Sequence, residues 1–492
     1  MNQLLATKPF EQLQAEHAAS KLKRALGPWQ LTFLGVGATI GTGIFVLTGL
    51  EAAQHAGPAI VLSFVLAGIA CVFAGLCYAE FAAMVPLAGS AYTYSYATLG
   101  EFAAWFIGWD LLLEYMFAAG TVAVGWSRYF VKFLDQYHIN FLPPELTAAP
   151  FATGPDGLTL VKTGAIINLP AVFIAGLAGA ICYAGIRQSA FFNTFVVALK
   201  VTVIVAVIAF GAFYVSGANW HPFIPPNSGE WGTFGWSGIL RASGVIFFAY
   251  IGFDAVSTAA QEARDPQRDL PFGIMMGLTI CTLLYILMAA VLTGLLPYPQ
   301  LKDAAPVAVA LEAHRELKWL SAFVVPGAIF GLTSVILVMI LGQARILLAM
   351  SRDGLLPPVF SSIHERFRTP HVATAFTATF AALVGGLFPI GLLAELVSIG
   401  TLLAFVMVSV SVLVLRYTRP TLHRPFRVPL PWVTCLAGAG FSAWLMSGLP
   451  GDTWVRLIVW ALIGICVYFL YGRHHSRLRA SEQEASTHGH PH

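Results

Sequence analysis

The chain has 492 residues, of which 57% are hydrophobic and only 10% charged, with 27 Lys and Arg against 24 Asp and Glu. A soluble domain carries roughly 25% charged residues, so this chain lacks the charge to coat a large water-facing surface, and lipid must be the solvent for most of it. The net charge of +3 is too small to suggest nucleic acid as a partner.

Residues 1–27 carry Glu11, Glu16, Lys21, Lys23 and Arg24 and lack an apolar core, so they do not read as a signal peptide. Gln12 to Leu26 is expected to form a short amphipathic helix on the membrane surface. A membrane-spanning helix needs about 20 mostly apolar residues. Such stretches lie near 31–55, 59–85, 101–131, 165–185, 191–215, 238–260, 271–296, 321–350, 371–389, 391–415, 431–449 and 454–472, about twelve in all. Gly57-Pro58, Pro86, Pro266, Pro271, Pro297, Pro370 and Pro389 punctuate their ends, where a missing N–H does least harm. The tail from 473 to 492 is polar. Its His488, His490 and His492 could bind a metal weakly, although a solvated tail is the simpler reading.

With the N-terminus inside, 17 of the Lys and Arg residues fall on cytoplasmic segments and 6 on outer ones. That asymmetry follows the positive-inside rule with both termini cytoplasmic. The 216–237 loop, which has neither Lys nor Arg, then faces out. The six cysteines (Cys71, Cys77, Cys182, Cys281, Cys435, Cys466) sit in apolar runs or at their edges without a CxxC pair. They suggest neither a disulfide framework nor a zinc site and read as small buried apolar residues. No motif calls for a metal or a cofactor.

The first span contains Gly35-Val36-Gly37-Ala38-Thr39-Ile40-Gly41-Thr42-Gly43-Ile44-Phe45. Each glycine weakens a helix by roughly 1 kcal/mol relative to alanine. Small residues also serve close helix packing, but packing favours a spacing of four, and Gly35-Gly37 and Gly41-Gly43 are pairs spaced by two. A stretch unwound at mid-membrane fits better. Freed amides at Thr42 and Gly43 would then face an anion, and freed carbonyls near Thr39 a cation. The sixth span offers a partner in Gly244-Val245-Ile246-Phe247-Phe248-Ala249-Tyr250-Ile251-Gly252-Phe253-Asp254. A shift of 209 residues overlays Gly35-Val36 on Gly244-Val245 and Gly43 on Gly252. Glycine breaks in corresponding spans of two halves point to a transporter binding site. A zwitterion would satisfy both sets of backbone groups.

These residues resemble those of the amino acid–polyamine–organocation (APC) superfamily, in its cationic amino acid transporter branch. The resemblance rests on Gly41-Thr42-Gly43-Ile44-Phe45, on Cys77-Tyr78-Ala79-Glu80-Phe81 followed by Gly89-Ser90-Ala91-Tyr92-Thr93-Tyr94, and on Phe247 to Asp254. It continues in Asp265-Pro266-Gln267-Arg268-Asp269 and Ser351-Arg352-Asp353-Gly354-Leu355-Leu356 and covers residues 20 to 475. It implies an all-α membrane fold of about twelve spans, LeuT-like, with spans one and six unwound. A cytoplasmic segment, 1–27, would precede two inverted five-helix repeats, 28–216 and 217–416. Two further helices, 417–472, and a cytoplasmic tail, 473–492, would follow. It also implies that Gly41, Thr42 and Gly43 hold a substrate carboxylate. Carbonyls of Thr39 or Ile40 and of Phe248, Ala249 and Ile251 would hold the amine, Phe248 would cover the site as a gate, and Met339 would line the side-chain pocket.

An ionisable residue inside a span costs on the order of 3 kcal/mol. Lys200 lies mid-span and resembles the lysine that, in this family, replaces a sodium ion and ties span five to span-one carbonyls. Desolvation disfavours its charged form, so it could load and unload a proton; a fixed structural tie to a carboxylate is the alternative. Glu114, in span three, could be a second proton site or could face a cationic side chain. Asp254 could take part in coupling or cap the second half-helix. Glu80, Glu101, Asp110 and Glu262 are expected near span ends with water or an arginine, and Arg345 within reach of the inner surface. Tyr92, Tyr94 and Tyr96 are expected as interface anchors.

The expected function is secondary active transport: proton-coupled uptake of cationic or small neutral amino acids. Amino acid, proton and membrane lipid would be its partners, and nothing identifies an accessory subunit. Amino acid exchange and nutrient sensing are alternatives. Residues 132–164 contain no cysteine for a disulfide-linked partner. No HExxH, paired intramembrane aspartates or GxSxG suggests an enzyme, and no TVGYG-like stretch suggests a channel. Thr333 and Ser334 could ligate sodium, but a lysine at that position would exclude it by charge.

Overall fold

The computed structural model describes residues 4, 6–9, 26–84, 90–154, 159–185 and 190–478, and over these the chain is mostly helical. The expected surface helix from Gln12, Pro86, Gly89 and the three tail histidines lie outside the described residues. Among the described residues, eight segments are long and apolar enough to cross a membrane: Gly43–Met84, Glu101–Gln136, Thr194–Tyr214, Gly235–Ser257, Pro266–Leu295, Arg315–Arg352, Ile390–Thr418 and Gly451–His475. Leu169–Tyr183 and His371–Leu387 are shorter apolar helices.

The first span opens with α1 (Pro28–Thr39), stops, and resumes at Gly43–Leu47 in a helix wound more widely than an α-helix. It ends at Gly57, whose φ of +60° turns the chain; a Cβ there would also run into the Pro225 ring. After it come α2 (Ile60–Met84), α3 (Ser90–Thr98), α4 (Glu101–Gln136), α5 (Leu169–Tyr183) and α6 (Ala190–Gly211). The sixth span begins as α7 (Gly235–Ile246), tightens over Phe247–Tyr250 and breaks at Ile251. Then follow α8 (Pro266–Leu295), α9 (Pro306–Glu312), α10 (Lys318–Arg352), α11 (His371–Leu387), α12 (Ile390–Thr418), α13 (Pro431–Ser447) and α14 (Gly451–Val467). Prolines 28, 266, 306 and 431 occupy first helical positions, where a preset φ helps and no N–H is missed. Pro271 is a correction: α8 starts five residues earlier, at Pro266, and carries Pro271 inside its second turn. A short antiparallel hairpin, β1 (Phe151–Thr153) on β2 (Leu160–Lys162), was not anticipated in the 132–164 loop.

α2 packs along α8, α4 along α10, and α5 along α11. α1 lies between α8 and α6. This arrangement puts both broken spans inside the bundle, with Leu31, Val36, Ile40, Val245, Ile246 and Phe247 fully buried. Five of the cysteines are buried as expected; Cys466 is exposed on the outer face of α14. Cys77 and Cys435 bring their sulfurs to 3.7 Å, linking α2 and α13 without a covalent bond.

Glu80 meets the arginine expected of it, and a second one. Arg416 Nε donates to its Oε1 at 3.1 Å, Arg424 Nε lies 3.4 Å from the same oxygen, and the Val428 amide donates to Oε2 at 2.7 Å. Arg424 is buried, and its other N–H groups donate to the carbonyls of Leu415, Arg419, Pro420 and Leu422. Deleting one partner of a buried pair strands the other charge, at about 3–5 kcal/mol. Glu80→Ala is therefore expected to cost about that much stability, read as a lowered midpoint in thermal unfolding of the detergent-solubilised protein. A midpoint unchanged from the parent would refute the assignment.

Several polar residues depart from expectation. Glu101 is buried and accepts from the hydroxyls of Tyr96 (3.1 Å), Tyr468 (2.9 Å) and Ser476. Tyr92, Tyr94 and Tyr96 are buried rather than at the interface, because α3 packs against α4 and α12. Tyr92 donates to Asp353 at 2.7 Å, which also pairs with Lys8 at 3.0 Å. Backbone bonds from Lys8 to Tyr96 and from Arg477 to Asp353 bring both ends of the described chain to the same patch. Glu262 and Arg345 pair at 3.6 Å, both partly exposed, as expected of residues near the surface.

Candidate functional site

The two broken spans meet through glycine. A Cβ on Gly43 would overlap Ala249 Cβ and Cα, and a Cβ on Gly252 would lie 2.7 Å from the Ala38 carbonyl carbon and oxygen. Gly252 has a φ of +114°, a backbone conformation that side-chain-bearing residues rarely adopt. Each break therefore rests on the backbone of the other. Ile40, with ψ of 101°, ends the first half of span one. The next half starts at Gly43, and amides in a first helical turn have no partner within their own helix.

Between the breaks lies a small cavity lined by Ala38, Thr39, Gly41, Thr42, Ala118, Val122, Phe248, Ile251, Val335 and Met339. Six of the expected site residues, Thr39, Gly41, Thr42, Phe248, Ile251 and Met339, are thus brought to one place. Ile40, Gly43 and Ala249 stand behind it. Thr39 Oγ1 and Thr42 Oγ1 are buried without a hydrogen-bond partner among the described residues. A buried hydroxyl left unpaired is costly, and both residues line the cavity, so a polar ligand there would relieve them. The rest of the wall is apolar, and its lining carries no ionisable side chain. Ala118 and Val122, Val335 and Met339 are two pairs four apart on α4 and α10, each presenting one helix face. Sequence reasoning missed Ala38, Ala118, Val122 and Val335, although one turn back from Met339 points to Val335.

The carbonyls expected to receive an amine are mostly engaged already. Lys200, fully buried on α6, donates to Gly37 O, to Ile40 O at 3.1 Å and to Ser334 Oγ at 3.2 Å. It thereby joins span one to α10, as the tie to span-one carbonyls anticipates. Phe248 O accepts the Ile251 amide at 3.2 Å. Tyr285, on α8, donates toward Thr39 O (3.0 Å) and Ala249 O (2.7 Å). It was missed, yet a lone hydroxyl inside Leu283-Leu284-Tyr285-Ile286-Leu287 needs a partner and so signals one. Thr333 Oγ1 is occupied by Trp126 Nε1 at 3.0 Å and does not join Ser334 beside the lysine.

Glu114 precedes Ala118 by one turn on the same face of α4, so it sits below the cavity rather than in its lining. One of its oxygens, Oε1, has no hydrogen-bond partner among the described residues. Asp254 stands before the short turn Ala255–Thr258 and accepts the Tyr115 hydroxyl. Asp110 is a correction. It is expected near a span end with water or arginine, but it is buried, with both oxygens unpartnered among the described residues and the Gly400 backbone close by. Helix α4 extends nine residues before it, to Glu101, and α12 covers that turn.

A profile described as amino acid permease matches residues 26–470. The chain is 44% identical to the methylthioribose transporter of Bacillus subtilis (strain 168), over 97% of this chain and 100% of that protein. It is 47% identical to the branched-chain amino acid permease BcaP of the same organism, over 95% and 97% of the two chains. It is 38% identical to the vacuolar cationic amino acid transporter 2 of Arabidopsis thaliana, over 85% of this chain and 64% of that one.

Proposed function

From the premise that this chain belongs to the amino acid permease family, we propose that it is a secondary carrier that takes up neutral amino acids with apolar side chains together with a proton. The observation that carries this reading is the cavity wall. Its lining offers Ala118, Val122, Phe248, Ile251, Val335 and Met339 to a side chain and no carboxylate. An arginine or lysine side chain would bury its charge there unpaired, which is costly. Glu114 lies a turn below, beyond the lining. The branched-chain substrate in the name of one relative agrees with an apolar wall.

In this reading the substrate carboxylate faces the amides of Gly41, Thr42 and Gly43 at a helix start, where the dipole favours an anion. Its ammonium faces the carbonyls at the end of α1 and at the break after α7, with Thr39, Ile251 and Ala249 the nearest candidates and Phe248 closing over it. Lys200 would carry the coupled proton, its release loosening the join between span one and α10. Glu114, Asp254 and Asp110 would pass protons toward the end of the bundle that holds the termini, which we place in the cytoplasm. The two five-helix halves would rock about the site in a LeuT-like cycle; the packing of α2 on α8, α4 on α10 and α5 on α11 supports that symmetry.

A second reading follows from the other bacterial relative: methylthioribose, whose methylthio group would suit the same wall. It has neither carboxylate nor ammonium for the helix ends. Proteoliposomes holding the purified protein distinguish these readings. We expect an inside-alkaline pH gradient to drive accumulation of leucine in preference to arginine and methylthioribose, and a sodium gradient at symmetric pH to drive none. Preferential arginine or methylthioribose uptake would overturn the substrate assignment. Sodium-driven accumulation, or exchange without net uptake, would overturn the coupling.

A further inference from the structure

Tyr285 is fully buried near the middle of α8, the helix that packs against α1, α2 and α6. Its ring is held between Phe64 and Tyr250, with centroids 5.4 Å away in each case, and the Tyr250 hydroxyl is itself anchored on Phe64 O at 2.9 Å. The ring is therefore fixed and only its hydroxyl proton is free to turn. That proton faces two acceptors, Thr39 O at 3.0 Å and Ala249 O at 2.7 Å. One carbonyl belongs to the last residue of α1 before its break, the other to the tight turn before the break of span six. A phenol has a single donor proton and lone pairs to accept with, so at any moment one of the two carbonyls is incompletely satisfied. A buried carbonyl in that condition is disposed to accept another donor.

We propose that the Tyr285 hydroxyl is a positioning group that ties the two helix breaks together in the empty carrier and is exchanged for the substrate ammonium on binding. The ammonium, with three donors, takes over Thr39 O or Ala249 O, and the hydroxyl keeps the remaining carbonyl or turns a lone pair toward the new cation. The empty carrier thus holds its breaks in register through the tyrosine, and the loaded one through the substrate. This rests on the reading of the ammonium site given above. A substrate without an amine leaves the tyrosine tie in place, so the hydroxyl competes only with substrates that carry an amine.

Tyr285→Phe keeps the ring packing and removes only the donor. It leaves both carbonyls open to an ammonium, so the KM for leucine is expected to fall several-fold. Net uptake, which needs return of the empty carrier, should fall by at least about tenfold, while leucine–leucine exchange, which does not, is largely kept. 3-Fluorotyrosine placed at 285 makes the hydroxyl a stronger donor at almost unchanged shape and should raise the KM. Thermal shifts with leucine and with 4-methylpentanoate, its amine-free analogue, should show a larger preference for leucine in the Phe variant than in the parent. A raised KM in the Phe variant, with exchange and net uptake falling in proportion, would overturn the proposal, as would an unchanged KM with fluorotyrosine should the Phe variant not fold. If the parent itself neither binds nor exchanges leucine, the fault lies in the substrate reading instead.

Discussion

Lys200→Met is expected to abolish accumulation driven by a pH gradient, a loss of at least about 100-fold. The ammonium serves Gly37 O, Ile40 O and Ser334 Oγ in a fully buried place. Methionine fills a similar volume and donates to none of them. Orphaning two buried carbonyls costs about 1–3 kcal/mol each, enough for that loss if one conformation of the cycle relies on them. The measurement is leucine uptake into proteoliposomes with the interior alkaline, set beside exchange at symmetric pH. Loss of the first with retention of the second assigns Lys200 to coupling; loss of both, with leucine binding gone, assigns it to holding the site together. Undiminished pH-driven accumulation would remove it from both roles.

The second large effect separates two glycines two residues apart. Gly43→Ala places its methyl group onto Ala249 Cβ and Cα, and the backbone of the tight turn has nowhere to yield because Tyr285 holds its carbonyl. Gly41→Ala meets only Val335, at 3.4 Å, an ordinary contact with a side chain that can rotate. Leucine binding, measured by thermal shift, is expected to be lost in Gly43→Ala and lowered by about tenfold or less in Gly41→Ala, within the range of modest overpacking. Equal losses in both would mean that glycine serves here for backbone freedom rather than for close approach.

The glycine content of the first span made its break legible, because four weak helix formers within nine residues, in two pairs spaced by two, are more than close packing asks for. The short echo in span six sufficed to place its counterpart, and Gly252 does press on the other chain segment. Proline and glycine punctuation fixed most helix ends, while Pro271 misled because a proline early in a helix is tolerated and Pro266 supplied the better start. Side-chain surroundings were less legible. Asp110, Glu101 and the tyrosines of α3 sit near helix ends in the sequence, and the ends of these helices are covered by other elements, α12 over Asp110 and the terminal segments over Glu101. Distance along the chain measures depth only for a helix that stands alone. Tyr285 escaped for a related reason: its partners are backbone carbonyls, freed by breaks more than thirty residues away in one case and more than two hundred in the other, and no residue type announces a freed carbonyl.

The paired seats of Gly43 on Ala249 and Gly252 on Ala38 have a kinematic consequence. Neither break can shift without the facing backbone of the other giving way, so a rearrangement of one broken span is expected to be shared by its partner.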